Sequence, residues 1–174
     1  MGSSTEVRAF HGGAPGLGQD VTDETVRFKK EDDDAADALT PVEVPDSGYA
    51  YSWRKSFKLV ATALPDTQLS NLRAYSDGVS LGTGRDLLVA TSTSYTQASS
   101  ADETAAISGV DVDDYTALSP LVLQAGAFVT SGDTAPTDGN TLQPYLVLQL
   151  RVGATAQAGD VTAAKSIQII WDET

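Results

Sequence analysis

The chain contains no cysteine, which excludes disulfide staples, thiolate nucleophiles and thiolate metal sites alike. Histidine is nearly as scarce, with His11 alone in 174 residues. A Ser-His-Asp triad or a two-histidine metal centre therefore loses most of its raw material. Cationic side chains are few: 11 Lys and Arg stand against 24 Asp and Glu, for a net charge of −13. Binding nucleic acid depends on neutralising phosphates with Lys and Arg, so no nucleic-acid partner is expected. The acidic field favours solubility and suits docking on a basic protein surface; a salty habitat is another source of such charge. No run approaches the ~20 apolar residues of a membrane span, and no membrane partner is expected. The opening Met1-Gly-Ser-Ser-Thr-Glu-Val-Arg-Ala-Phe10 lacks the apolar core of a signal peptide. Glu6 stands where a myristoylation signal needs Ser or Thr, and no sorting tail follows the last apolar run. A chain not exported by these routes is the expectation.

What is present is alternation. In Tyr49-Ala-Tyr-Ser-Trp53-Arg-Lys-Ser-Phe57-Lys-Leu59-Val-Ala-Thr-Ala63, one parity carries Tyr49, Tyr51, Trp53, Phe57, Leu59, Ala61 and Ala63, interrupted only by Lys55. The other parity is mostly small or polar. Successive strand side chains point to opposite faces, so this pattern predicts a half-buried antiparallel strand with one aromatic and one solvated face. Trp53 is expected to face a second sheet.

Further strands are predicted at Leu69-Ser-Asn-Leu-Arg-Ala-Tyr75, Asp86-Leu-Leu-Val-Ala-Thr91, 115–123 and Ala127-Phe-Val-Thr130, the third of these broken by Pro120. The clearest are Tyr145-Leu-Val-Leu-Gln-Leu-Arg-Val152 and Ser166-Ile-Gln-Ile-Ile-Trp-Asp172. Asp77-Gly78 is a strong turn pair, Leu64-Pro-Asp-Thr67 a turn, Gly82-Thr-Gly84 a hairpin connector, and 97–114 a surface loop with a short helical turn. Seven or so short strands at this spacing, in a chain long enough to bury about 70% of its unfolded surface, predict an all-β antiparallel sandwich. Residues 47–174 form that domain. Residues 1–46 read as an extended, partly flexible arm, with glycines at 12, 13, 16 and 18, a short β candidate at Thr25-Val-Arg-Phe-Lys29, the acidic patch Glu31-Asp-Asp-Asp34, and one helical turn at 34–39 as an alternative.

No catalytic constellation emerges, so no catalytic or cofactor-binding residue is assigned and no enzyme is expected. His11 reads as an exposed tail residue. Gly12-Gly-Ala-Pro-Gly-Leu-Gly18 lacks the Gly-Lys-Ser/Thr ending of a phosphate loop. Asp111, Asp113 and Asp114 in one loop, Asp133, Asp138 and Asn140 in another, and the patch at 31–34 offer oxygen ligands for calcium. None has the spacing of an EF-hand, and solvated acidic faces are the favoured reading, so no metal is assigned. Tyr49, Tyr51 and Trp53 offer sugar-stacking rings, with core packing favoured.

Tyr51-Ser-Trp-Arg-Lys-Ser-Phe57 running into Ser70-Asn-Leu-Arg-Ala-Tyr-Ser-Asp-Gly78 and Gly82-Thr-Gly84, together with Ala158-Gly-Asp160 through Ile167-Gln-Ile-Ile-Trp-Asp-Glu173, resembles small structural proteins of tailed bacteriophages. The resemblance is one of texture over about half of the chain. It implies an Ig-like or jelly-roll sandwich that decorates or cements the capsid, or serves the neck or tail. It implies major capsid protein or other virion proteins as partners, a homo-oligomer with a trimer favoured, and assembly into the virion in the host cytoplasm. The 1–46 arm is then the expected docking element. A calcium-assisted carbohydrate-binding module using the 97–114 and 132–140 loops is the alternative.

Overall fold

The computed structural model describes residues 4–33, 35, 40–63, 68–130, 144–157 and 164–173. Within them, alternating sequence becomes ten strands: β1 (Ser4–Phe10), β2 (Gln19–Asp20), β3 (Tyr49–Tyr51), β4 (Lys55–Ala63), β5 (Gln68–Ser76), β6 (Arg85–Ser92), β7 (Val110–Asp111), β8 (Leu121–Thr130), β9 (Tyr145–Gly153) and β10 (Ile167–Glu173). Short 3-10 turns occupy Ser100–Thr104 and Val112–Asp114. The strands form two antiparallel sheets. The larger runs β2-β1-β4-β9-β6-β7, with β3 pairing β9 beyond the end of β4; the smaller runs β10-β5-β8. The all-β sandwich expected from alternation is what the chain builds.

The core lies between the sheets. Phe57, Leu59, Leu87, Val89, Leu146 and Leu148 of the larger sheet meet Leu69, Leu72, Ala74, Leu123 and Phe128 of the smaller one, with Ile167, Ile169 and Trp171 of β10 packed against them. Each fully buried Leu or Phe contributes about 1.5–3 kcal/mol. Phe10, Leu88, Ile107, Tyr145 and Val147 form a second buried cluster on the outer face of the larger sheet.

That second cluster explains where the strand at 49–63 departs from expectation. It is two strands, separated at Ser52, Trp53 and Arg54. Ser52 is buried there: its hydroxyl donates to the Trp53 carbonyl and accepts from the Leu150 N–H, while the Trp53 N–H donates to the Lys29 carbonyl. From 55 to 61 both faces are buried, Lys55, Ser56 and Lys58 included. Trp53 does not face the smaller sheet, since its indole N–H donates to Glu103 Oε1 at 3.1 Å.

The start of the chain differs most from expectation. Ser4–Phe10 pairs with β4 along its whole length, from Ser4↔Ala63 to Phe10↔Ser56. Its Ala9 and Phe10 are buried. The glycine-rich stretch is the hairpin loop into β2. Thr25–Lys29 forms no strand, yet Val26 and Phe28 pack on the inter-sheet core and Lys29 is buried, its ammonium 2.7 Å from Asp33. A boundary at residue 46 therefore does not separate a flexible arm from a folded body. The expected turns at 34–39 and 64–67 lie outside the described residues, apart from Ala35.

Two other expectations shift. The candidates at 115–123 and 127–130 are one strand, β8, preceded by a tight turn in which Thr116 and Ser119 exchange backbone hydrogen bonds. The 82–84 connector is not a hairpin loop, because it carries the chain from β5 in one sheet to β6 in the other. Gly84 sits there at φ +70°, and a Cβ on it would lie 2.7 Å from the Ala156 nitrogen, so only glycine fits.

Candidate interaction surfaces

The outer face of the larger sheet is covered at its centre by the 95–107 loop, held by a polar network. Gln149, 0% exposed, donates through Nε2 to the carbonyls of Ser52, Asp102 and Ala105. Its Oε1 accepts from the Ile107 N–H at 2.8 Å. Asp102, 1% exposed, accepts from the Ser99 N–H and from the Arg54 guanidinium. Buried polar groups this fully paired hold a loop in place.

Beside this network lies an aromatic nest. Phe10 meets Tyr145 edge-on at 5.2 Å, Tyr95 closes over both, and the Lys58 ammonium sits 4.1 Å from the centre of the Tyr145 ring. The Tyr95 hydroxyl donates to the Gly12 carbonyl. Burial, then the Asp32 carboxylate and Tyr145, push the Tyr95 phenol up to about 12. Burial likewise lowers Lys58 and raises Tyr145. These groups tie the first hairpin loop to the 95–107 loop across the sheet.

At the other end, among the described residues, the face opens at Tyr49, while Tyr51 is half-buried against the Phe10 cluster. Tyr49 is 57% exposed, and its ring lies over the cross-strand Gly153 and 4.9 Å from the Arg151 guanidinium. Tyr51 follows on the same face, ring centres 6.5 Å apart. Arg151 bonds Asp86 Oδ2 through Nε and Nη2, at 2.9 and 2.7 Å. Asp111 adjoins Asp86; burial first, then the Asp86 and Asp113 carboxylates, raise its pKa above the ordinary value.

The predicted calcium residues do not converge. Asp111 caps the 3-10 turn at Val112–Asp114 by accepting from the Asp113 N–H. Asp113 turns to the Lys165 ammonium and the Ser76 hydroxyl, and Asp114 is exposed. Burial works against the Asp113 carboxylate, but Lys165 and Ser76 outweigh it and hold its pKa below the usual range. Asp133, Asp138 and Asn140 lie outside the described residues. Among the described residues no three His, Asp or Glu side chains gather as metal ligands. His11 is half-buried next to Phe10, and not on a free tail. Arg151 and Asp86 escape a reading by motif, because only the β6–β9 register sets them opposite each other.

The smaller sheet offers a second open surface. Its outer face carries Arg73 and Tyr75 of β5, Val122 of β8, and Gln168, Ile170 and Asp172 of β10, with Arg73 opposite both Val122 and Ile170. Arg73 pairs with Asp172, and Asn71 Nδ2 donates to the same carboxylate at 2.8 Å. Val122 is 57% exposed, and Leu118, at the tip of the turn before β8, is 99% exposed. Among the described residues β8 and β10 have no strand on their far sides.

No protein-family model, curated protein or solved structure matches this chain.

Proposed function

We propose that this chain is a structural protein of a tailed-phage virion, decorating or cementing the outside of the head. The observation that carries the reading is the sheet β10-β5-β8, which among the described residues has one open face, two unpaired edges and exposed Leu118 and Val122 at one end. Open edges and exposed apolar side chains are the usual material of a protein–protein contact. A net charge of −13 directs such a contact toward a basic surface and away from nucleic acid. Surface buried across two capsid subunits stabilises the assembled shell by mass action. A trimer suits three-fold positions of a capsid lattice. Docking is assigned to the smaller sheet, and not to residues 1–46, because β1 is integral to the larger one.

Co-sedimentation with purified, undecorated capsids tests this, with light scattering giving the mass of the free protein. Binding at a fixed stoichiometry per capsomer, lost on Val122→Lys or Leu118→Asp without a change in melting temperature, is the expected result. Failure of the wild-type chain to bind capsids removes the decoration role and moves the assignment to the neck or tail.

A further inference from the structure

We infer that the Tyr49 end of the larger sheet's outer face, where Tyr49, Tyr51, Arg151 and Asp86 stand side by side, binds a neutral polysaccharide chain without a metal ion. This goes beyond the virion role and does not depend on it. The Tyr49 ring is fixed on one side: a Cβ on Gly153 would lie 3.3 Å from a ring carbon, and the Arg151 guanidinium sits 4.9 Å from the ring centre. The ring is nevertheless 57% exposed. A held aromatic face open to water suits the C–H face of a pyranose, which is apolar while its rim carries hydroxyls. Tyr51, inclined 41° to Tyr49 and half-buried against the Phe10 cluster, supplies an adjoining ring edge.

Polar groups stand beside the rings. Among the described residues the hydroxyls of Tyr49 and Tyr51 make no hydrogen bond, and Arg151 commits Nε and Nη2 to Asp86 while leaving Nη1. A donor fork, a carboxylate and two hydroxyls can meet sugar hydroxyls in both senses. The ion pair already fixes Arg151, so less ordering cost remains for binding. The surface is a strand face and not an enclosing cleft, which suits an extended chain over a small molecule that needs burial. Asp86, Asp111 and the net charge of −13 oppose acidic glycans.

Native electrophoresis in gels containing galactomannan, mixed-linkage β-glucan or dextran, with alginate as the acidic counterpart and with or without EDTA, tests the assignment. At least one neutral polysaccharide should retard the protein, EDTA should leave the retardation unchanged, and alginate should not retard it. Tyr49→Ala should weaken binding about tenfold, the loss of one stacked ring, whereas Tyr49→Phe should keep most of it. If Tyr49→Ala melts early because Gly153 is uncovered, Tyr51→Ala takes its place with the same expected loss. No retardation by any of the three neutral polymers, or retardation undiminished in both alanine variants, overturns the inference, and loss with EDTA overturns its metal-free part. Capsid co-sedimentation is scored separately, so failure of one assignment leaves the other standing.

Discussion

The larger sheet is covered on both faces except at its Tyr49 end, whereas the smaller sheet is covered on one. Both contribute leucines, isoleucines and aromatics to the same inter-sheet core. They differ in what lies outside. Over the larger sheet, the 95–107 loop and the first hairpin loop bury Phe10, Leu88, Tyr145 and Val147 on its outer face. Over the smaller sheet nothing described is laid down, and Arg73, Tyr75, Val122 and Ile170 face outward. A side chain under such an outer cover belongs to folding. One left bare on a well-paired sheet is available to a partner.

The sharpest way to break this contrast is at Gln149. Gln149→Leu leaves three carbonyls and the Ile107 N–H buried without their side-chain partner. Urea denaturation should show a loss of about 3–5 kcal/mol. Gln168→Leu, on the bare face of β10, should stay within about 0.5 kcal/mol. Equal effects at the two sites would erase the distinction between the sheets.

A second test separates arm from body. Phe10→Ala empties a site packed against Tyr95 and Tyr145, and should cost about 3–4 kcal/mol in the same assay. A flexible arm would lose almost nothing.

Much of this architecture is legible in alternation, and the misreadings have definite causes. The strands at 69–75, 86–91, 145–152 and 166–172 stand within two residues of β5, β6, β9 and β10. In β1, Thr5, Val7 and Ala9 alternate with Glu6 and Arg8, a period-2 signal that the glycines after it obscure. Those glycines form a loop between paired strands, and composition does not distinguish a hairpin loop from a tail. Lys29 and Lys58 are legible only as solvent-facing and Lys55 only as an interruption of the aromatic face, because their burial depends on contacts with distant parts of the chain. The site at the Tyr49 end is split in the same way: Tyr49 and Tyr51 stand out in sequence, while Arg151 and Asp86 acquire meaning only from register.

The smallest expected effect sharpens the contrast within one edge of the larger sheet, where two neighbouring aspartates respond oppositely to pH. Burial and nearby carboxylates raise Asp111, so the folded state holds a proton more tightly there than the unfolded chain. The penalty is absent below the unfolded value near 3.8, grows as pH rises toward the folded value, and is complete at pH 7. Asp113 is lowered on balance by Lys165 and Ser76, so its stabilisation is present above about 3.8 and fades as pH falls through the folded value. Asp111→Asn keeps an oxygen to accept from the Asp113 N–H and removes the penalty. Its melting temperature should exceed the wild type's at pH 7, with the difference closing by about pH 3. Asp113→Asn should do the reverse, melting lower at pH 7 and converging with the wild type in acid. If both variants shifted the same way at pH 7, the opposed environments of these two carboxylates would not hold.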